Sequence, residues 1–261
     1  MLAKEKAQKA GRVLPEPQQV GDVLTMVMGK VSKGLKSLDA ETALSWSGHD
    51  HDKKLHGAIE ALCQVLLRGA TGTIDKKVVE WCRFYREIFG LDLDPSEIRL
   101  PEERKGFGWI VLVAKGLTYN YVFEKCETHF NGEAWRYCAD LDKAVTMNDR
   151  ESTETYAIRV RDRIEADEEH KNKSANMVTK EGVKGMTGLE RMLLELWYHW
   201  KTRGDHLDRK TSTICSGSRY ADCNVPSARW FGGRFIVGGV LPDDRGDDWR
   251  VRETVSLPRP S

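Results

Sequence analysis

Imidazole and carboxylate groups crowd one short run, Gly48-His49-Asp50-His51-Asp52, with His56 close behind. Such donors suit zinc or another divalent ion. The spacing departs from the H-x-H-x-D-H pattern of metallo-β-lactamase-like hydrolases, because Lys53 and Lys54 stand where Asp and His would. A polar loop between two helices explains the same residues more simply. Cys126 and His129 form a second candidate, spaced i and i+3 on one helix face with Cys138 after a turn, three potential zinc ligands. No fourth ligand is identifiable, and a cysteine on an amphipathic helix commonly packs in the core.

Two further constellations suit hydrolytic chemistry. In RVRDRIEADEEHKN, Arg163 and His170 loosely match the R-x(4-6)-H spacing of HEPN ribonucleases, where a histidine does acid-base work beside a cationic phosphate clamp. The competing role is a solvated helix face, with Arg161 and Glu165, and Arg163 and Asp167, as i,i+4 pairs. Farther on, Asp205, His206 and Asp208 precede Cys215, Ser216, Ser218 and Arg219, and then Asp222 and Asn224. If the chain doubles back there, carboxylate, imidazole, hydroxyl and guanidinium groups share one cleft. Ser216-Gly217-Ser218-Arg219 lacks both the Gly-x-Ser-x-Gly elbow and a P-loop lysine, so turn and capping duties compete for these residues.

The elements that must position these groups begin with the helix after Thr187. Thr187 and Glu190 have capping-box spacing, and Leu189, Met192, Leu193, Leu196, Trp197 and Trp200 form one apolar stripe. Lys201 and Arg203 suit the negative end of the helix dipole, and Gly204 suits a left-handed stop. Helical spacing also marks 21–45, 54–68, and 75–89 with its stop at Gly90. Thr118 caps a helix through Phe130 that stops at Asn131-Gly132, and a very polar helical pattern runs from Asp162 to about Val178. Strands are expected at GFGWIVLVA, at 134–138, at Tyr156 to Arg161 with one wet face, and at 212–215, 228–231, 234–240 and 249–255. The whole is α+β: a tail over 1–19, a helical unit over 20–90, and an α+β unit over 91–261 with a mostly antiparallel C-terminal sheet.

Lys and Arg total 41 against 40 Asp and Glu in 261 residues. Non-specific nucleic-acid binding draws on excess positive charge, so this balance does not favour a nucleic-acid partner and leaves only a local basic groove open to one. The longest clean apolar run, Trp109 to Ala114, is far short of the roughly 20 residues of a membrane-spanning helix. The N-terminus has no secretion-signal pattern, and six cysteines are too sparse for a disulfide scaffold, so the cytoplasm is the expected location.

From about Pro101 to Leu257, the phrases GFGWIVLVAKGLT, AWRY, DLDKAV, NDR, YAIRVRDRIEADEEHKNKSANMV, GMTGLERMLLELWYHWKTRGDHLD, TICSGSR, NVPSARW, LPDD and VRETVSL resemble a family of hypothetical proteins from candidate-phylum bacteria with very small genomes. The resemblance implies a bacterial, intracellular origin and carries no mechanism. Its phrases include polar groups, Asn148-Asp149-Arg150, Arg161-Asp162, Glu165-Ala166-Asp167 and Ser216 to Arg219, suited either to a buried network or to a ligand site.

With no strong catalytic motif, the expected function is an intracellular binding or interaction protein with a polar cleft in the C-terminal unit. The rival is a phosphoesterase or ribonuclease-like hydrolase. It would take His206 or His170 as acid-base group, Asp162, Glu165 and Asp205 as metal- or water-orienting carboxylates, and Arg161 or Arg219 with Ser218 at the ligand. The sequence names no metal, cofactor, substrate or partner.

Overall fold

The structure, a computed structural model, describes residues 75–258. The tail at 1–19, the helices expected at 21–45 and 54–68, and the His-rich run at 48–56 lie outside the described residues.

Local signals explain three helices directly. α1 (Lys76–Phe89) starts where the Asp75 carboxylate accepts from the Lys77 amide at 2.8 Å and ends at Gly90, whose φ of 68° gives the left-handed cap. α2 (Tyr119–His129) starts on the Thr118 hydroxyl. After α3 (Leu141–Ala144) and α4 (Ala175–Lys180), α5 (Gly188–Thr202) starts on a complete Thr187–Glu190 capping box. Its stop differs by one residue from expectation: Arg203 takes the left-handed cap with φ 64°, and Gly204 follows at φ 131°.

Among the described residues, ten strands form three sheets. β1 (Trp109–Val113), β4 (Tyr156–Val160) and β10 (Thr254–Ser256) are antiparallel in the order β1-β4-β10, with Trp109 and Thr254 both opposite Val160. β2 (Ala134–Arg136), β8 (Arg234–Val240), β7 (Val225–Phe231), β5 (Ser212–Ile214) and β9 (Trp249–Arg250) make a five-stranded sheet in that order, parallel only at β2·β8 and β5·β9. β3 (Val145–Asn148) pairs with β6 (Ser218–Tyr220). The β7–β8 hairpin turns through Gly232 and Gly233, both at positive φ, the conformation a two-residue turn needs. The architecture is α+β with mostly antiparallel sheets.

α1, which the sequence groups with the helical unit of 20–90, packs into the core formed by β1 and α5. Trp81 stacks on Trp197 with ring centres 5.4 Å apart, and the Trp81 indole and Tyr85 hydroxyl donate to the Ile110 and Leu112 carbonyls of β1. Each large apolar side chain buried fully here contributes about 1.5–3 kcal/mol.

Two expectations fail for one reason, long-range contacts. β4 has no wet face: Ala157 to Val160 are all buried, and Arg159, 3% exposed, donates to the Pro101 carbonyl at 2.8 Å. The helix expected from Asp162 does not form before Ala175, apart from a 3₁₀ turn at Glu168–His170. Its carbonyls are used elsewhere, since the Arg252 guanidinium donates to Arg163 and Ile164 at 2.9 and 2.7 Å. The i,i+4 pairs give way to i,i+6 pairs, Arg161 with Asp167 and Arg163 with Glu169.

Candidate functional site

α5 carries its charges inward. Every residue from Gly188 to Tyr198 is buried, so the face opposite the apolar stripe is not solvated, and Glu190, Arg191 and Glu195 find ionic partners instead. Arg191 Nη1 donates to Glu195 at 2.8 Å, and its Nε donates to Asp208 at 3.0 Å. Nη2 also lies 2.8 Å from Asp208, too poorly aligned to be a hydrogen bond. Asp208 accepts from Arg252 Nη2 at 2.6 Å and from the Thr213 hydroxyl. Burial alone would raise the Asp208 pKa, but the Arg252 and Arg191 guanidiniums outweigh it and hold the carboxyl below its ordinary value. A second buried pair joins Glu190 to Arg150 through two hydrogen bonds, at 2.6 and 2.8 Å, with the Tyr156 hydroxyl donating to the same carboxylate.

A third cluster sits where Glu253 reaches the 161–170 segment. Asp167 Oδ2 accepts from Arg161 Nη1 at 2.5 Å and from the Glu253 amide at 2.8 Å. Glu253 Oε2 accepts from Arg161 Nη2, and its Oε1 from Arg104, both at 2.7 Å. Burial pushes the Glu253 pKa up, and the two arginines override that and hold it low. His170 is 5% exposed, with Nε2 3.5 Å from Glu253 Oε2. Neither ring nitrogen of His170 has a hydrogen-bond partner, and Asp167 Oδ1 has none either. Among the described residues, Asp167, His170 and Glu253 are the one trio of His, Cys, Asp or Glu whose donor atoms gather tightly enough for a metal, all within 4.8 Å.

Phe107 links this cluster to an open cleft of about 330 Å³. The Arg161 and Arg104 guanidiniums lie over its ring at 4.4 and 4.6 Å, and Arg104 and Phe107 line the cleft with Lys77, Glu103, Lys105, Arg159 and Asp162. Gly106 makes the turn at φ 86°, and Gly108 brings backbone so near Asp162 that an added Cβ would fall 2.8 Å from its carboxyl carbon.

The sequence-derived site residues scatter over these features. Arg161 and His170 belong to the third cluster, and Asp162 is exposed in the cleft. Glu165 accepts from the Thr211 amide and hydroxyl, a turn-fixing role that ties its segment to 208–213. His206 does not face an open cleft: its Nδ1 lies 2.9 Å from Glu195, and its ring stacks on Trp230 with centres 3.3 Å apart. Asp205 is exposed just past the end of α5, its amide donating to Thr202. Ser218 is buried between the Gly188 amide, Asn148 and the Tyr119 hydroxyl, and Arg219 donates to the Ser216 and Ser218 carbonyls.

The Cys126–His129–Cys138 zinc set does not assemble: Cys126 is buried with Sγ 3.9 Å from the Met192 carbonyl, and burial pushes its thiol well up. The HEPN-like arrangement does not form, since Arg163 is taken by Glu169 and the segment is not helical. Sequence reasoning missed Arg104, Glu253 and Arg252 entirely. It had a signal for Arg191 and Glu195, an i,i+4 pair inside the apolar stretch MLLELW and its flank.

No protein-family model matches the chain, no curated protein matches it in sequence, and no solved structure matches its fold.

Proposed function

We propose that this is a cytoplasmic, non-catalytic binding protein whose ligand carries an anionic group, phosphate or carboxylate, seated in the cleft at residues 103–108. The observation that carries this is the lining itself: Lys77, Arg104, Lys105 and Arg159 face two carboxylates, Glu103 and Asp162. Arg104 and Arg159 are engaged with Glu253 and Glu103, which leaves the Lys77 and Lys105 ammonium groups without a partner among the described residues. The Asp75 carboxylate caps α1, and Lys76 and Lys77 in its first turn add two positive charges beside it. Among the described residues, cysteines 126, 138, 215 and 223 form no disulfide, which supports a reducing compartment.

The test is thermal denaturation with added pyrophosphate and citrate. A ligand at a hundred times its dissociation constant stabilises by about 2.7 kcal/mol. For a domain of this size that is roughly a 5–11 °C rise in Tm. Lys105→Glu with Lys77→Glu should abolish the rise, while Lys180→Glu, away from the cleft lining, should retain it. An equal rise in both variants would refute the assignment.

One observation favours a second reading, hydrolysis of a phosphate ester: Asp167, Glu253 and His170 converge beside Arg161. Release of nitrophenol from a nitrophenyl phosphate by the intact chain, lost in His170→Gln, would establish it.

A further inference from the structure

We infer that Asp167, His170 and Glu253 bind a divalent transition-metal ion of the zinc class, at a site that adjoins the anion cleft through Arg104 but does not depend on the cleft's ligand. The ion pairs of the cluster do not account for its own geometry. Arg161 satisfies Asp167 Oδ2 and Glu253 Oε2, and Arg104 satisfies Glu253 Oε1. Asp167 Oδ1 and both nitrogens of His170 are left buried and unmatched. A buried polar atom without a partner loses its hydration and gains nothing in return.

A cation coordinated by Asp167 Oδ1, His170 Nε2 and Glu253 Oε2 satisfies a carboxylate oxygen and an imidazole nitrogen at once. Zinc bonds of about 2.1 Å in a tetrahedron place donors about 3.4 Å apart. His170 Nε2 and Glu253 Oε2 lie 3.5 Å apart, and one donor atom from each of the three residues lies within 4.8 Å of the others, so a modest contraction of the trio closes the set.

The elements are built to hold these donors. Asp167 and His170 are i and i+3 across a 3₁₀ turn, whose tight repeat brings such positions to one side, and Glu253 is anchored by the hydrogen bond its backbone N–H donates to Asp167 Oδ2 and by its bridge to Gly185. An imidazole donor selects zinc, cobalt or a similar ion over magnesium or calcium. Three protein ligands leave a fourth position open to an exogenous ligand, the arrangement of a reactive rather than a purely structural zinc site. Arg161 and Arg104 already balance the two carboxylates, so a dication leaves the site net positive and favours an anionic fourth ligand.

The experiment uses the full chain carrying His49→Ala, His51→Ala and His56→Ala, which silences the His-rich run. After chelator treatment the protein is titrated with zinc against a chromophoric chelator, and with cobalt by visible absorption. One equivalent should bind, and His170→Gln or Asp167→Asn should weaken binding about a hundredfold or more. Glu253→Gln substitutes for either variant that circular dichroism shows unfolded. Binding that survives these substitutions, or no binding at all, overturns the site; the latter is the result expected if water alone occupies it. Independently of any further variant, X-ray absorption of the zinc-loaded background protein should show one imidazole with oxygen donors. A sulfur ligand or a second imidazole overturns the assignment.

Discussion

Asp208→Asn keeps the size and one acceptor of the side chain but removes the charge that Arg191 and Arg252 share. In the parent, Asp208 Oδ2 takes Arg191 Nε at 3.0 Å, and Oδ1 takes Arg252 Nη2 at 2.6 Å, with all three side chains 1% exposed or less. In the variant two buried guanidiniums face one remaining carboxylate, Glu195, and the new amide N–H₂ points at groups that only donate or at the Thr213 hydroxyl. Arg252 keeps its two backbone acceptors, which limits the damage. Breaking one member of a buried ionic set costs about 3–5 kcal/mol. That corresponds to a fall of roughly 6–20 °C in Tm for a unit of this length.

Urea denaturation at pH 7, followed by circular dichroism, should show the midpoint drop with an unchanged slope. The pH dependence adds a sign. Because the folded Asp208 pKa lies below the ordinary value, the carboxylate's contribution is full above about pH 3.9, the unfolded pKa, and fades as pH falls through the folded value. The gap between parent and variant should therefore be constant near neutrality and narrow below about pH 4. A cost under about 1 kcal/mol at pH 7 would refute the ionic account, since that is the scale of an exposed pair.

Two other outcomes follow from packing and burial. Gly217→Ala would put a Cβ 2.8 Å from the Gly185 carbonyl oxygen and 3.0 Å from that of Met186, backbone atoms that cannot swing aside; a loss of about 1–3 kcal/mol is expected in the same urea assay. Among the described cysteines, iodoacetamide should modify exposed Cys223 quickly and half-buried Cys138 more slowly. Cys126 and Cys215 should stay unmodified until unfolding, because both are buried and burial pushes the Cys215 thiol up to about 12; mass spectrometry of the native protein would read this order.

How far the sequence carries depends on where the deciding contacts lie. α1, α2 and α5 are legible because Asp75, Thr118 and Thr187 cap from within three residues of their targets. The 162–174 stretch is not, for its fate is decided by Arg252 and Thr211, more than forty residues away. β3 and β6 escape notice because each is short and pairs with the other across two intervening helices, α4 and α5, and strands β4 and β5. In the candidate site, Arg161 and His170 draw attention through their chemistry, whereas Glu253 sits in an unremarkable VRET phrase and acquires meaning only from the strand pairing that delivers it. His206 misleads in the opposite direction: its type suggests catalysis, but Glu195 and Trp230 occupy it.

Arg252 and Glu253 are neighbours in an extended segment, and they serve different clusters, Arg252 the Asp208 network and Glu253 the Arg161 and Arg104 pair. Successive side chains of extended backbone point to opposite faces. A one-residue slip in one direction would thus set the Glu253 carboxylate against buried Asp208, and a slip in the other would set the Arg252 guanidinium against Arg161. Both encounters are repulsive. The two adjacent charges of opposite sign work as a register key: misthreaded alignments of the final strand are rejected by electrostatics as well as by packing.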